Sequence, residues 1–333
     1  MHADLVPLAR ALIDIDSTTG REAEASAWLA RWLRSRRYQV TEQPVRDGRF
    51  NILATVDAEP PQVVLSTHID CVPPFFPSRE EQDVLYGRGA CDAKGVLAAQ
   101  LVALETLRGA GEGRVGLLVV VGEERGSDGA RLANTTPCGN RYLINGEPTD
   151  NRLGVATRGV YRVRLQASGR AAHTSQPHCG ESAIDKLVDA LVELRGLPLP
   201  DDATLGRTFY TVALVSGGIA PNVVPPSAEA EVNFRTVGPA SAVRAALAPI
   251  ESRVAVEDVI EVPPVALMTL PGFETAVFTF TTDVPLLTAW GTPLLFGPGS
   301  VLVAHTDEEC VRIGDLQDAV GQYVRLARDL LAR

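Results

Sequence analysis

The 333-residue sequence is poor in several things that would direct its reading elsewhere. Its five cysteines (Cys71, Cys91, Cys138, Cys179, Cys310) are odd in number and widely scattered. That argues against a disulfide framework, and no pair has zinc-knuckle spacing. Small, buried, unreactive cysteine is a better reading than a thiolate ligand, even for Cys71 and Cys91 beside acidic residues. Positive charge is in deficit: 31 Lys and Arg against 41 Asp and Glu give a net charge of −10, which disfavours a nucleic-acid or anionic-membrane partner. No apolar run reaches membrane-spanning length, and the amino terminus lacks a basic-then-apolar signal pattern, so a cytoplasmic enzyme is the default expectation. Internal repeats, low-complexity tracts and flexible linkers are also missing. What remains is 45% hydrophobic and 22% charged, the make-up of a globular protein long enough for two domains.

Residues 1–157 alternate helical and strand-like patterns. Leu5, Leu8, Leu12 and Ile13 make one helical face, and Ala25, Trp28, Leu29, Trp32 and Leu33 another, with both tryptophans read as core. Strands are expected at 52–56, 63–67, 115–121 and 142–145, with a helix over 95–107, which predicts a mainly parallel α/β sheet. The pattern changes near Arg158. Tyr161, Val163, Leu165 and Ala167 alternate with Arg162, Arg164 and Gln166, and a helix is expected over 182–194. Strands at 209–215 and about 229–235, a helix at 240–249 and a strand at 254–262 complete a β-α-β-β-α-β order, the ferredoxin-like split motif. Residues 158–263 therefore read as an inserted α+β domain. Residues 1–157 plus 264–333 form a discontinuous α/β catalytic domain closed by an amphipathic helix over 316–331.

The chemistry sits at strand ends. The apolar run Val63–Thr67 delivers His68-Ile69-Asp70 to the carboxyl end of its strand, where open α/β sheets place ligands. Val115–Val121 runs into Glu123-Glu124, Tyr142–Ile144 into Glu147, and Leu294–Phe296 through Gly-Pro-Gly toward His305. Alone, each has an ordinary structural reading, and a lone histidine is usually structural. Several strands aiming His, Asp and Glu at one rim instead indicate a metal centre, with zinc favoured in a catalytic role. The glycine-rich run Gly87–Gly95 could pass for a phosphate loop, but it lacks the Gly-Lys-Ser/Thr ending and its Asp92 would repel phosphate. Glu123-Glu124 divides naturally into a ligand and a proton-transfer group. Apart from His2, each histidine falls in loop sequence, and His178 has no assignable role.

With these motifs in order, the chain resembles the M20 family of co-catalytic metallohydrolases. The resemblance is carried by Ser66–Asp70, Gly87–Gly95, Gly122–Glu124, Gly146–Thr149, Gly169–His173, Phe296–Ser300 and Ala304–Glu309, and it spans essentially the whole chain. It implies that His68, Asp92 and Glu147 bind one zinc and that Asp92, Glu124 and His305 bind a second, with Asp92 shared; Co²⁺ or Mn²⁺ are possible substitutes. It further implies Asp70 as the residue orienting His68, Glu123 as general base and then acid, and His173 as the donor to the developing oxyanion. Arg235 and Asn222, with the Gly299-Ser300 backbone opposite, would receive a substrate carboxylate, for which arginine offers a bidentate fork. The peptide after Asp92 is expected in the cis form, and residues 158–263 are expected to serve as lid and as the interface of a homodimer.

The activity so implied is hydrolysis of an N-acyl amino acid, closest to acetylornithine deacetylase. The Gly-Pro-Gly-Ser turn and the Ala-His-Thr-Asp-Glu-Glu run suit that branch. A desuccinylase, another amino-acid deacetylase, or a metallodipeptidase or carboxypeptidase of the same family is the alternative. The stretch between Pro264 and Pro293, near the expected substrate pocket, departs from the family by replacing a usual helix with a strand-like run at 276–280. A metal-binding protein without catalysis is the rival of another class, and the presence of Glu123 speaks against it.

Overall fold

The computed structural model describes residues 4–56 and 59–333, so His2 lies outside it. The chain divides into two compact units. One comprises residues up to Val155 with Leu267–Ala276 and Thr282–Arg333; the other comprises Ala156–Ala266 with Val277–Thr281.

The first unit is built on a six-stranded sheet. Its order is Gln39–Pro44, Phe50–Thr55, Val115–Val120, Val63–His68, Tyr142–Asn145, Thr292–Leu295. The last four run parallel, and the strands Val63–His68 and Val115–Val120 are buried at every position, as a two-sided parallel sheet requires. The first two form a hairpin whose second strand pairs antiparallel with Val115–Val120, so the sheet is mainly parallel, as expected, with an antiparallel edge. Gln39–Pro44 was not legible as a strand because, at the sheet edge, it alternates polar residues with little apolar content. Register aligns the strand ends. His68 pairs with Val120 and Ser66 with Asn145, so the three central strands finish almost level and their next residues share one rim.

The helix Lys94–Gly109 is apolar on nearly every side and packs between Leu5–Ile13 and Ile313–Leu331. Trp28 and Trp32, expected in the core, are half-buried at its edge.

The second unit is a four-stranded antiparallel sheet ordered Phe209–Gly217, Ser227–Thr236, Gly159–Ser168, Ala255–Val262. Tyr161, Val163 and Leu165 face Phe234, Val232 and Ala230 across the register and are buried together against the helix Ala183–Leu194. Ser182 caps that helix, its hydroxyl accepting the Asp185 backbone N–H at 3.2 Å. The second helix is shorter than expected, Ala240–Ala246, and gives way to a 3₁₀ turn over Ala248–Ser252 that contains Pro249. The run at 276–280 overlaps the short strand Thr275–Phe278. Among the described residues no helix is long and apolar enough to cross a membrane.

Candidate metal centre

Strand geometry alone brings His68 to the rim. The neighbouring carboxylates need turns. After Val115–Val120 the chain reverses at Gly122, whose φ of +78° and lack of space (an added Cβ would lie 2.2 Å from Asp128 Oδ1) require glycine. One 3₁₀ turn, Glu123–Arg125, comes next. The Asp70 carboxylate grips this turn, accepting the backbone N–H groups of Glu123 at 3.0 Å and Glu124 at 3.2 Å, and the Thr19 hydroxyl at 2.9 Å. Asp70 was expected to orient His68. The nearer partner of His68 Nδ1 is in fact the Asp70 backbone carbonyl at 3.0 Å, with the carboxylate at 3.5 Å. The Asp70 carboxylate thus stands beside the His68 ring while also holding the glutamate pair.

Asp92 ends a tight turn that the fully buried Glu309 holds from beneath. Glu309 Oε1 accepts the N–H groups of Gly89 (3.0 Å), Cys91 (3.1 Å) and Asp92 (3.0 Å), while Oε2 takes the Arg88 guanidinium at 2.6 Å. The Asp92–Ala93 peptide is cis, as the resemblance implied. Gly95 opens the following helix so tightly that an added Cβ would lie 2.1 Å from the Ala90 carbonyl oxygen, and no larger residue fits there.

These turns bring five side chains together. His68, Asp92 and Glu147 form one group of donor atoms within 4.8 Å of one another, and Asp92, Glu124 and His305 form a second, with Asp92 in both. His68 Nε2 stands 3.0 Å from Asp92 Oδ1 and 3.9 Å from Glu147 Oε2. His305 Nε2 stands 2.9 Å from Glu124 Oε1 and 3.3 Å from Asp92 Oδ2. His305 adopts a left-handed φ of +64°, uncommon outside glycine, which turns its ring back over the rim.

The electrostatics show what such a cluster demands. Burial raises the carboxyl pKa values of Glu123, Glu124 and Glu147, those of Glu123 and Glu147 strongly. Burial alone would lower His68, but hydrogen bonds to Asp70 and Asp92 and the charge of Glu147 carry it well above its usual value. Hydrogen bonds to Asp92 and Glu124 push His305 up to about 10. Asp92 behaves oppositely: burial would raise it, yet its contacts with His305 and His68 hold it well below the usual carboxylate range. Carboxylates packed this closely require positive charge between them, and protons on the imidazoles fill that need when nothing else does. Glu147 Oε1 is buried without a partner among the described residues, so the site still has acceptor capacity to spare. Two divalent cations fit this donor set of imidazole and carboxylate, one per group, with three protein ligands each.

The family model for peptidase family M20/M25/M40 matches residues 64–329. The chain belongs to this family. A probable carboxypeptidase of Aspergillus clavatus is 36% identical to this M20 protein over 99% of its chain and 83% of the relative's. A tripeptidase from Staphylococcus aureus shares the fold at a TM-score of 0.84 and 20% identity, covering 100% of this chain and 99% of that one. A protein from Bacillus subtilis described as a dinuclear metal-binding peptidase from the M20 family shares it at 0.74 and 16%, covering 99% and 98%. As an M20 member the chain is a hydrolase with a metallopeptidase α/β fold. The Aspergillus relative is named a carboxypeptidase, which fits the peptidase alternative better than an acetylornithine deacetylase.

Three expected site residues, His173, Asn222 and Arg235, lie in the second unit. Two of them are neighbours: His173 bridges to Val223, and the Thr174 N–H donates to the Asn222 carbonyl at 3.1 Å. The Ser175 N–H donates to His173 Nδ1 at 3.1 Å, which leaves Nε2 as the protonated, donating nitrogen of the neutral ring. Arg235 is partly buried beside like-charged Arg162, and both burial and that charge lower its pKa; no anion pairs with it among the described residues. In the first unit, the Gly299 carbonyl accepts the Asp150 N–H at 2.7 Å and the Ser300 carbonyl takes the Cys91 thiol at 3.2 Å. Sequence reasoning missed the roles of Glu309 and Arg88. Arg88 is marked only as a charge among small residues, and Glu309 is one of three consecutive acidic residues with nothing local to set it apart.

Proposed function

We propose that this M20 hydrolase removes the carboxy-terminal residue from short peptides, a carboxypeptidase or dipeptidase activity, using two divalent cations. The observation that carries the reading is the pair of donor groups sharing Asp92, with Glu123 beside them and belonging to neither. Zinc suits the mixed imidazole and carboxylate set, with Co²⁺ or Mn²⁺ as substitutes. Bound there, the cations would supply Lewis acidity to a water and to the scissile carbonyl.

The chain's own groups do the rest. Glu123 accepts the proton of the attacking water; burial raises its pKa, so it holds that proton until the C–N bond breaks and then passes it to the leaving amine nitrogen. Asp70 keeps Glu123 and Glu124 in separate positions by holding both backbone N–H groups. His173, with Nε2 protonated, would donate to the developing oxyanion. Arg235, partly buried and without an ion pair among the described residues, would receive the substrate carboxylate with Asn222. A substrate carboxylate is common to peptides and N-acyl amino acids, so it is the carboxypeptidase name of the relative that favours peptides over N-acetylornithine. We also propose a homodimer through the second unit, where Leu214, Val215 and Ile219 are exposed on or next to an edge strand.

The test is turnover of the zinc-loaded protein on a panel of dipeptides, tripeptides and N-acyl amino acids, with a chelated control. Release of the carboxy-terminal residue from peptides, abolished by chelation, is the expected result. N-acetylornithine exceeding every peptide in kcat/KM would return the reading to a deacetylase.

A further inference from the structure

The turn that carries Glu123 and Glu124 is closed from behind by residues of a distant strand. Residues 121–129 form a loop whose ends meet: the Gly129 N–H donates to the Val121 carbonyl at 3.1 Å, and the Ser127 N–H to the Gly122 carbonyl at 2.7 Å. Buried Asn51 pins that junction, accepting the Val121 N–H at 3.2 Å and donating to the Gly129 carbonyl at 2.8 Å. Two residues earlier stands Arg49, charged and yet buried. Its guanidinium donates to Asp128 Oδ2 at 2.5 Å and Oδ1 at 3.3 Å, and Nη1 lies 3.2 Å from where a Cβ on Gly122 would be.

The same Nη1 donates to Oε1 of the fully buried Glu22 at 3.1 Å. Glu22 Oε2 accepts the Gly20 N–H at 2.7 Å, and the neighbouring Thr19 hydroxyl donates to Asp70 Oδ2 at 2.9 Å. Asp70 in turn accepts the Glu123 and Glu124 N–H groups. Asp70 therefore grips the start of the turn, Arg49 its end, and Glu22 joins the two grips.

A buried ion pair is a poor source of stability, since apolar residues of similar volume serve as well or better. What they cannot do is fix directions, as a planar guanidinium held between two carboxylates does. We infer that Arg49 is a positioning residue for the glutamate pair: with Glu22 it fixes the turn that places the Glu123 carboxylate as base and Glu124 as ligand. This rests on the two-cation reading above and adds to it a residue that touches neither substrate nor cation.

The experiment compares the native protein with Arg49→Lys and with Arg49→Met/Glu22→Leu. Arg49→Lys keeps the charge but loses the fork; the double variant removes the pair without stranding either charge. Arg46→Ala, which takes only an exposed second cation from Asp128, is the control. Each chelated protein is titrated calorimetrically with zinc, the second equivalent being identified as the one lost in Glu124→Gln. In the double variant that equivalent should bind about 10–100-fold more weakly while the first is unchanged. On the peptide turned over best, kcat should fall by a similar factor with KM held within about twofold. Amides of Glu123, Glu124 and Ser127 should exchange roughly tenfold faster, with those of Val63–His68 unchanged. Arg49→Lys should recover part of each loss, and Arg46→Ala should match the native protein.

Native zinc affinity, kcat and exchange in the double variant would overturn the inference, as would equal weakening of both zinc ions, the mark of a general loss of structure. A native protein that turns over no peptide would refute the peptidase reading instead, and the zinc and exchange measurements would still decide the role of Arg49.

Discussion

The carboxylate of Glu309 accepts the backbone N–H of Asp92 at 3.0 Å, so one residue four positions beyond His305 shapes the turn that carries the shared ligand. Glu309→Ala leaves Arg88 as a buried charge without its counter-ion and three N–H groups without their acceptor. The expected loss is about 3–5 kcal/mol of stability. Replacing the pair with apolar residues often restores a buried ion pair's stability, but here Arg88→Met/Glu309→Leu should not, because each orphaned N–H still costs about 1–3 kcal/mol. Urea midpoints of both variants check this. A double variant as stable as the native chain would show that the backbone contacts are dispensable.

The legible part of the site was the part fixed by periodicity. Val63–His68 and Tyr142–Asn145 read as buried strands because their side chains are mostly apolar or small, and their register then placed His68 and Glu147. The ferredoxin-like order of the second unit was legible for the same reason: Gly159–Ser168 alternates strictly. The features that escaped notice depended on partners far apart in sequence. Glu309 meets Gly89–Asp92 across more than 200 residues, and nothing local marks it. Asp70 was recognised as important, but its grip on the Glu123–Glu124 turn depends on where a different strand ends. Gln39–Pro44 escaped because an edge strand need not be apolar.

Glu123 and Glu124 are adjacent, yet only Glu124 belongs to a donor group with His305 and Asp92. Glu123→Gln should keep the fold and the bound metal while cutting kcat by about 10²–10⁴, because an amide cannot shuttle a proton. Glu124→Gln should instead lower metal content toward one equivalent. Metal analysis beside kcat separates the two. Loss of metal in Glu123→Gln, or its full activity on a peptide substrate, would refute this division.

The metal-free protein should respond to pH through His305. Its folded pKa is pushed up to about 10 by Asp92 and Glu124, above the usual value near 6.5. A raised histidine pKa gives stability that is fully present below 6.5 and lost as pH rises through 10. The chelated protein should therefore lose thermal stability between pH 7 and 10, and His305→Gln should flatten that slope. Cations compete with the same proton, so zinc titrations at pH 7.5 in buffers of different ionisation enthalpy should register proton release. No release would mean the imidazole is neutral before metal arrives.

Leu214 and Val215 sit on the edge strand Phe209–Gly217 with most of their surface exposed. If a second copy covers that edge, Leu214→Asp should convert a dimer to a monomer, since an unpaired carboxylate in an apolar contact costs several kcal/mol. Sedimentation of both proteins at micromolar concentration gives the answer. A native chain that sediments as a monomer would rule out this interface.

Asp283 is a buried carboxylate of the first unit with no ion pair among the described residues. Neither of its oxygens has a well-formed hydrogen bond among them. Burial raises its pKa from 3.8 to about 6 despite the Ser127 side chain and the charges of His68 and Arg131 nearby. A carboxyl whose folded pKa is raised is better tolerated protonated. Its penalty is absent below pH 3.8, grows as pH rises through 6, and is then constant. A shift of this size corresponds to about 3 kcal/mol, of which Asp283→Asn should recover about 1–2 kcal/mol because the amide is also left without partners. In chelated protein at pH 7.5 the variant should therefore be the more stable of the two, with the order reversing below about pH 5, where the native carboxyl is protonated and the amide keeps its own penalty. Bound cations should narrow the gap by stabilising the native carboxylate. A variant less stable than the native chain at pH 7.5 without metal would show that Asp283 has a partner the folded chain depends on.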